Sequence, residues 1–188
     1  ACGGSTRWQQ RADVVVIGSG IAGLSAALHA RVTGRTVLLV TKAQVVLGKV
    51  TGKLGDAQKQ ALKDDVKQIV DTFFEQAYLG EFPRASFDEA YTAFTDGARN
   101  DAERDADLLR NAAIADQIHS AIGAKRQVSL DVLAVKGEPA GVSARFTLDF
   151  DTTGDLEQRE RVKGYLLLDR EDGQWQVFGY DVIRSVVS

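Results

Sequence analysis

The sequence predicts an α+β body over its second part, preceded by a short strand–helix–strand segment, and three patterns carry that prediction. Residues 13–42 hold two β-branched apolar runs separated by a glycine-rich turn and an apolar helical stretch. Residues 56–79 space their apolar side chains by three and four, which makes one buried helix face. From Arg126 onward the period falls to two, as in strands with one face in the core. Helices followed by an antiparallel meander give helices packed on a curved antiparallel sheet.

The chain has 188 residues, enough for one domain with an appendage and for a real core. Hydrophobic residues make up 44% and charged residues 26%, so a folded globular body is expected rather than a disordered one. Charge is unevenly spread. Residues 1–43 hold five basic residues and one acid, whereas the remainder holds eighteen against twenty-five. An acidic body without a basic stripe argues against nucleic acid as a partner, because phosphate binding needs clustered Lys and Arg. Cys2 is the single cysteine, and His29 and His119 lie in different segments, so no metal site is expected. With no methionine at all, the chain reads as a processed product or a fragment.

In order along the chain, Asp13 to Ile17 is a short strand of the buried, parallel-sheet kind. Gly18-Ser19-Gly20-Ile21-Ala22-Gly23 follows directly, with the spacing G-x-G-x-x-G. A helical pattern runs through Leu24, Ala27, Leu28 and Ala30 to Gly34, and Thr36 to Val40 is the second strand. This order is a Rossmann-like βαβ segment. The glycines serve separate ends, since Gly18 permits the tight turn, Gly20 lets a pyrophosphate approach the backbone, and Gly23 lets the helix lie close to the strand. The helix N-terminus then offers unpaired N–H groups to the phosphates. Where an acid normally follows the second strand, this chain has Thr41 and Lys42.

Read as a whole, residues 13–42 (DVVVIGSGIAGLSAALHARVTGRTVLLVTK) resemble the N-terminal segment of the L-aspartate oxidase family and its fumarate reductase and succinate dehydrogenase flavoprotein relatives. The resemblance implies FAD as cofactor, with Gly18, Ser19, Gly20, Ala22 and Gly23 along its pyrophosphate and Thr41 and Lys42 at its adenosine end. It also implies a flavoprotein oxidoreductase, in which hydride passes from an amino or dicarboxylic acid to the flavin. The likeness covers only about thirty residues, and no catalytic Arg and His pair stands in a matching motif. The chain is therefore expected not to be a complete enzyme by itself. Gly4 to Gln10 looks like a flavin-contacting piece of the same family, yet it precedes the fingerprint.

Three glycines in Leu47 to Gly55 read as a linker, dividing the chain into residues 1–47 and 48–188. Beyond it, residues 56–79 form a long helix ended by Gly80 and Pro83, and residues 87–95 and 98–122 form further helices, with Asn111 a possible break. Strands follow at 126–136, 142–151, 159–170 and 174–184, the last two joined by the turn Glu171-Asp172-Gly173. Residues 50–188 resemble the nuclear-transport-factor-2-like (SnoaL-like) superfamily. That likeness rests on the helix carrying Phe73-Phe74-Glu75-Gln76-Ala77-Tyr78 and on the ending Tyr165 to Val182. It implies a cone-shaped fold in which Phe73, Tyr78, Tyr91, Trp175, Phe178 and Tyr180 line a pocket, although core packing is the default for such side chains. The alternative to an enzyme is a non-catalytic ligand-binding or protein-interaction module, with a homodimer through the sheet among the expected partners.

Two features point to the membrane or export. Ala-Cys-Gly-Gly-Ser at the start resembles the beginning of a mature bacterial lipoprotein, with Cys2 as the lipid site. Residues 14–30 carry no Asp, Glu, Lys or Arg and follow Arg7 and Arg11, as in a signal anchor, though the glycines and β-branched start fit a strand and turn better. A flavoprotein would be cytoplasmic; the other readings place the body in the cell envelope or outside. The acids of 101–107 read as a solvated helix face, and His119 as an ordinary helix residue.

Overall fold

A computed structural model describes residues 13–17, 29, 33–35, 37–40 and 43–187. The chain forms two compact units, Ala1–Lys42 and Ala43–Ser188.

In the first unit, β1 (Val14–Ile17) pairs in parallel with β2 (Val37–Val40), with Val14 opposite Val37 and Ile17 opposite Val40. A parallel pair needs a crossover between its strands. The end of that crossover is visible where Thr33 N–H donates to the His29 carbonyl at 3.3 Å and Gly34 takes φ +77°. A left-handed glycine after the last helical turn is the ordinary helix stop, and Gly34 supplies it.

The second unit opens with β3 (Gln44–Thr51), then α1 (Asp56–Ala77), β4 (Gly80–Glu81), α2 (Asp96–Arg104) and α3 (Ala106–Leu109). Four long strands complete it: β5 (Ile118–Val135), β6 (Glu138–Gly154), β7 (Arg159–Glu171) and β8 (Gln174–Val187). The sheet runs β3-β5-β6-β7-β8, with β4 also on β5. Only β3 pairs in parallel. The expected α+β class holds as a mixed sheet with few helices.

Helix α1 buries Leu62, Val66, Val70, Phe73, Phe74 and Ala77, the positions its three-and-four spacing marks. Gly80, at φ +95°, reverses the chain beyond it. Arg84 donates to the carbonyls of Glu75, Gln76 and Leu79, so a cation satisfies the unpaired end of the helix and complements its dipole. Opposite α1, β6 buries Val142, Ala144, Phe146, Leu148 and Phe150, the residues its alternation selects. Two hairpins have two-residue turns at Lys136-Gly137 and Asp172-Gly173, all four residues with positive φ, which suits the twist of antiparallel strands.

Three expectations need correction. The stretch read as a linker is largely strand β3. Gly48 and Lys49 together face Asp131, because the register shifts between Leu47 and Val50. This is a bulge, and Lys49 N–H donates to the Asp131 carboxylate at 2.8 Å. A Cβ on Gly48 would meet that carboxylate. Second, residues 98–122 are not one helix. The chain breaks at Asp105 and Arg110, and from Ile118 it is strand β5, with His119 exposed on it. A register shift between Ile118 and Ser120 places buried Ile118 and Ala121 three apart and so imitates helical spacing. Third, residues 87–95 hold only a short 3₁₀ turn, Asp88–Tyr91. Beyond it Phe94 bridges to Val177.

Candidate functional site

The described strands of the first unit form a parallel pair with a common edge. Because Ile17 and Val40 end the parallel ladder opposite one another, the chain leaves both strands at the same, carboxyl, edge. In open parallel sheets ligands bind outside that edge. The G-x-G-x-x-G turn follows Ile17 in sequence and Thr41-Lys42 follows Val40, so both expected contact groups start from the same side. Gly18, Ser19, Gly20, Ala22, Gly23, Thr41 and Lys42 themselves lie outside the described residues, as does Cys2. Of the stretch considered as a signal anchor, Val14–Ile17 is strand. Among the described residues no helix is long and apolar enough to cross a membrane.

In the second unit the six aromatic residues expected around one pocket go to different places. Phe73, Tyr78 and Tyr91 are fully buried and pack into a ring cluster with Phe74, Phe94, Phe146 and Phe150. Phe73 meets Tyr78 edge-on at 5.5 Å between centroids and Phe94 at 5.7 Å; Phe74 meets Phe146 at 5.3 Å, and Tyr78 lies 6.0 Å from Phe150. Such contacts add about 0.5–1.5 kcal/mol per pair beyond area burial. Trp175 borders a cleft of about 430 Å³ with Asp65, Gln68 and Thr72. Phe178, half exposed, borders a shallow depression on the sheet's outward side. Tyr180 donates to the Asp105 carboxylate at 2.8 Å, giving one acid of the 101–107 run a specific partner.

The buried hydroxyls do structural work. Tyr78 Oη donates to the Leu108 carbonyl at 2.8 Å and Tyr91 Oη to the Leu109 carbonyl at 3.2 Å. Arg184 reaches the carbonyls of Asp107 and Arg110 at 3.2 and 3.1 Å while paired with Glu160. Three side chains, from the residue capping α1, the 3₁₀ turn and β8, thus satisfy the carbonyl end of α3, which has no helical partners of its own. Asn111, fully buried, donates through Nδ2 to the Tyr78 carbonyl at 2.7 Å and through its own N–H to Ala77. Burial pushes the Tyr78 phenol well above its ordinary value and Tyr91 up to about 12. Both stay neutral donors at physiological pH and are not poised for acid–base chemistry.

Sequence reasoning passed over Glu160 and Arg184 and read Asn111 only as a possible helix break. A signal existed for the pair: Glu160 stands two residues before Val162, in the register of the buried face of β7. A charge in the apolar register of a strand calls for a buried partner. Among the described residues no group of three or more His, Cys, Asp or Glu side chains could hold a metal ion.

Comparison with known proteins bears on the first unit. Residues 13–98 match the FAD binding domain family. That match supports FAD as the cofactor. L-aspartate oxidase of Mycobacterium leprae is 61% identical over 36 residues, covering 19% of this chain and 7% of that protein. The Mycobacterium tuberculosis enzyme is 58% identical over the same length. Soluble pyridine nucleotide transhydrogenase of Chromohalobacter salexigens is 50% identical over 58 residues, 31% of this chain and 12% of that protein. This chain therefore spans only 7% to 12% of the length of these curated relatives. No solved structure matches it.

The FAD-binding-domain match and the partial likeness to flavoprotein oxidoreductases agree with the parallel pair and its common carboxyl edge. The match runs past Lys42 into residues that fold within the second unit, where β3 joins β5 rather than β2.

Proposed function

We propose that the first unit holds the adenosine diphosphate half of FAD in the manner of L-aspartate oxidase-like flavoprotein oxidoreductases. The second unit, of the nuclear-transport-factor-2-like kind, then acts by binding rather than catalysis. The observation that carries the first half is the shared end of β1 and β2, from which the glycine turn and Thr41-Lys42 both depart. Gly18, Ser19, Gly20, Ala22 and Gly23 would meet the pyrophosphate through backbone N–H groups, and Thr41 and Lys42 the adenosine end. FAD, when bound, supplies a hydride acceptor that no side chain of this chain can replace.

A non-catalytic second unit is supported by what fills the space between α1 and the sheet. Seven aromatic rings occupy it, and its tyrosine hydroxyls are spent on backbone carbonyls. The outward face of the sheet, in contrast, shows Leu133, Tyr165, Leu167, Phe178 and Ile183 to solvent, the kind of surface that marks an interaction site. The reactions of the whole enzymes that the first unit resembles are not assigned to this chain, which matches only a small part of them.

The test is the visible absorption of the purified chain after incubation with FAD and removal of free cofactor. A flavin spectrum retained with the protein in about one equivalent supports the proposal. A colourless protein removes the flavin reading and leaves the binding role of the second unit to stand alone.

A further inference from the structure

Resting on the reading of the second unit as a binding rather than a catalytic module, we infer that the cleft beside Trp175 takes a small aliphatic ammonium ion, with Asp65 as its counter-ion. The cleft, of about 430 Å³, has three walls. Asp65, Gln68, Ile69 and Thr72 of α1 form the first, and the segment from Ala90 to Ala93 forms the second. Gln174 and Trp175, at the start of β8, form the third. At about 100° per residue, the α1 stripe that lines the cleft is centred roughly 120° around the helix from the stripe that α1 buries. The cleft therefore lies against the flank of α1 and not in the ring-filled space between α1 and the sheet. Two of its walls are tied together, since Val177 N–H donates to the Ala93 carbonyl at 2.8 Å and Thr95 N–H to the Val177 carbonyl at 2.9 Å.

Asp65 is set apart from the other acids of its helix. Asp56 pairs with Lys59, Asp64 accepts from Gln60, Asp71 pairs with Lys67 and Glu75 with Arg126. Asp65, exposed, has no hydrogen-bond or ion-pair partner among the described residues. No Lys or Arg is among the lining residues, so an anionic guest would meet a carboxylate and nothing to offset it. Flanking the lining, Lys63, Lys67 and Arg170 are outnumbered by Asp64, Asp71, Asp88, Glu89, Glu171 and Asp172. Two of those cations are also engaged, Lys67 by Asp71 and Arg170 over the Trp175 ring at 5.7 Å. A sugar is equally unsuited, because it stacks on an open aromatic face and Trp175 is only 7% exposed beneath Arg170. What fits is a cation with a short apolar stem. An ammonium group carries three N–H donors. Asp65 accepts one, and the side-chain oxygens of Gln68, Thr72 and Gln174, unengaged among the described residues, are free to accept the others. Ile69, Ala90, Ala93 and Trp175 give the methylene stem an apolar wall. The volume lies at the small end of the ~300–1,000 Å³ range of ligand pockets, as a guest of this size requires.

Trp8→Phe leaves Trp175 as the single indole of the full chain, so its fluorescence reports on the cleft. Titrations with pentylamine, protonated at neutral pH, with pentan-1-ol and with glucose are read by that fluorescence and by saturation-transfer NMR of the ligand. The expected result is saturable binding of pentylamine with a dissociation constant of about 1 mM or below. It is expected to weaken at least about fivefold in Asp65→Asn and to stay unchanged in Asp64→Asn, whose side chain does not line the cleft. Circular dichroism confirms that both variants fold. Pentan-1-ol bound as tightly as pentylamine, or glucose bound in its place, overturns the ammonium assignment and keeps the second unit as a binding module. Pentylamine binding that is indifferent to Asp65→Asn overturns it as well. If none of the three binds in either readout, the cleft is overturned as a site, and the binding role passes to the outward sheet face.

Discussion

Ile17 and Val40 are partners on the last rung of the parallel ladder, so the two turns that follow them begin at one edge. Under the proposed function, that relationship makes the pairing of β1 with β2 a requirement for FAD binding. Leu39→Pro removes a backbone N–H and places proline inside a strand, where it is poorly tolerated. The expected outcome is at least a tenfold loss of FAD affinity, with Leu39→Val close to the original, read by fluorescence titration.

Glu160 and Arg184 form an ion pair buried between β7 and the end of α3, with only 4% and 12% of their side chains exposed. Breaking such a pair by removing one partner leaves an uncompensated charge and costs about 3–5 kcal/mol. Glu160→Ala is expected to lower stability by that order in urea unfolding. Arg184→Lys does not suffice, because one ammonium cannot reproduce a guanidinium that meets Glu160 and two carbonyls at once.

Tyr91 links stability to alkaline pH. Its folded-state pKa, about 12, exceeds the ordinary phenol value of about 10, so between these values the folded chain holds a proton that the unfolded chain has released. Its contribution is complete below pH ~10 and declines as pH rises toward 12. Stability measured from pH 8 to 11 is expected to fall, and less steeply in Tyr91→Phe. That variant is also expected to lose about 1–3 kcal/mol at neutral pH, because the Leu109 carbonyl loses its donor.

Gly164 tests the close approach of β7 and β8. A Cβ added there would run into the Asp181 carbonyl group. Gly164→Ala is therefore expected to destabilise the unit by about 1–3 kcal/mol, as overpacking does, in thermal unfolding. A neutral result would mean that the two strands can part without loss.

Much of the fold is legible from pattern alone. The spacing of Leu62, Val66, Val70, Phe73 and Ala77 marks α1, and the alternation from Val142 to Phe150 marks β6, because each has one face in the core and the other in water. Asp172-Gly173 marks a hairpin because few other residue pairs accept two positive φ values. What the sequence hid lies where two constraints share a residue. Gly48 looked like linker because glycine is common in turns, whereas here it lies in a bulged strand, and Ile118 with Ala121 looked helical because a register shift changes a strand's period. The pocket expected from Tyr78 and Tyr91 depends on distant partners: their hydroxyls are taken by Leu108 and Leu109, which no local pattern pairs with them. For the glycine fingerprint, the described strands agree with the sequence, while the turn itself lies outside the described residues.

The most direct measurement compares FAD, ADP and FMN in equilibrium titrations of the purified chain. If the backbone after β1 holds the diphosphate and Thr41-Lys42 the adenosine, FAD binds saturably, ADP competes with it, and FMN, which lacks the adenosine half, does not. Gly20→Val abolishes the binding of both FAD and ADP by blocking the approach to the backbone. Equal binding of FMN and FAD, or FAD binding unchanged in Gly20→Val, would contradict the account.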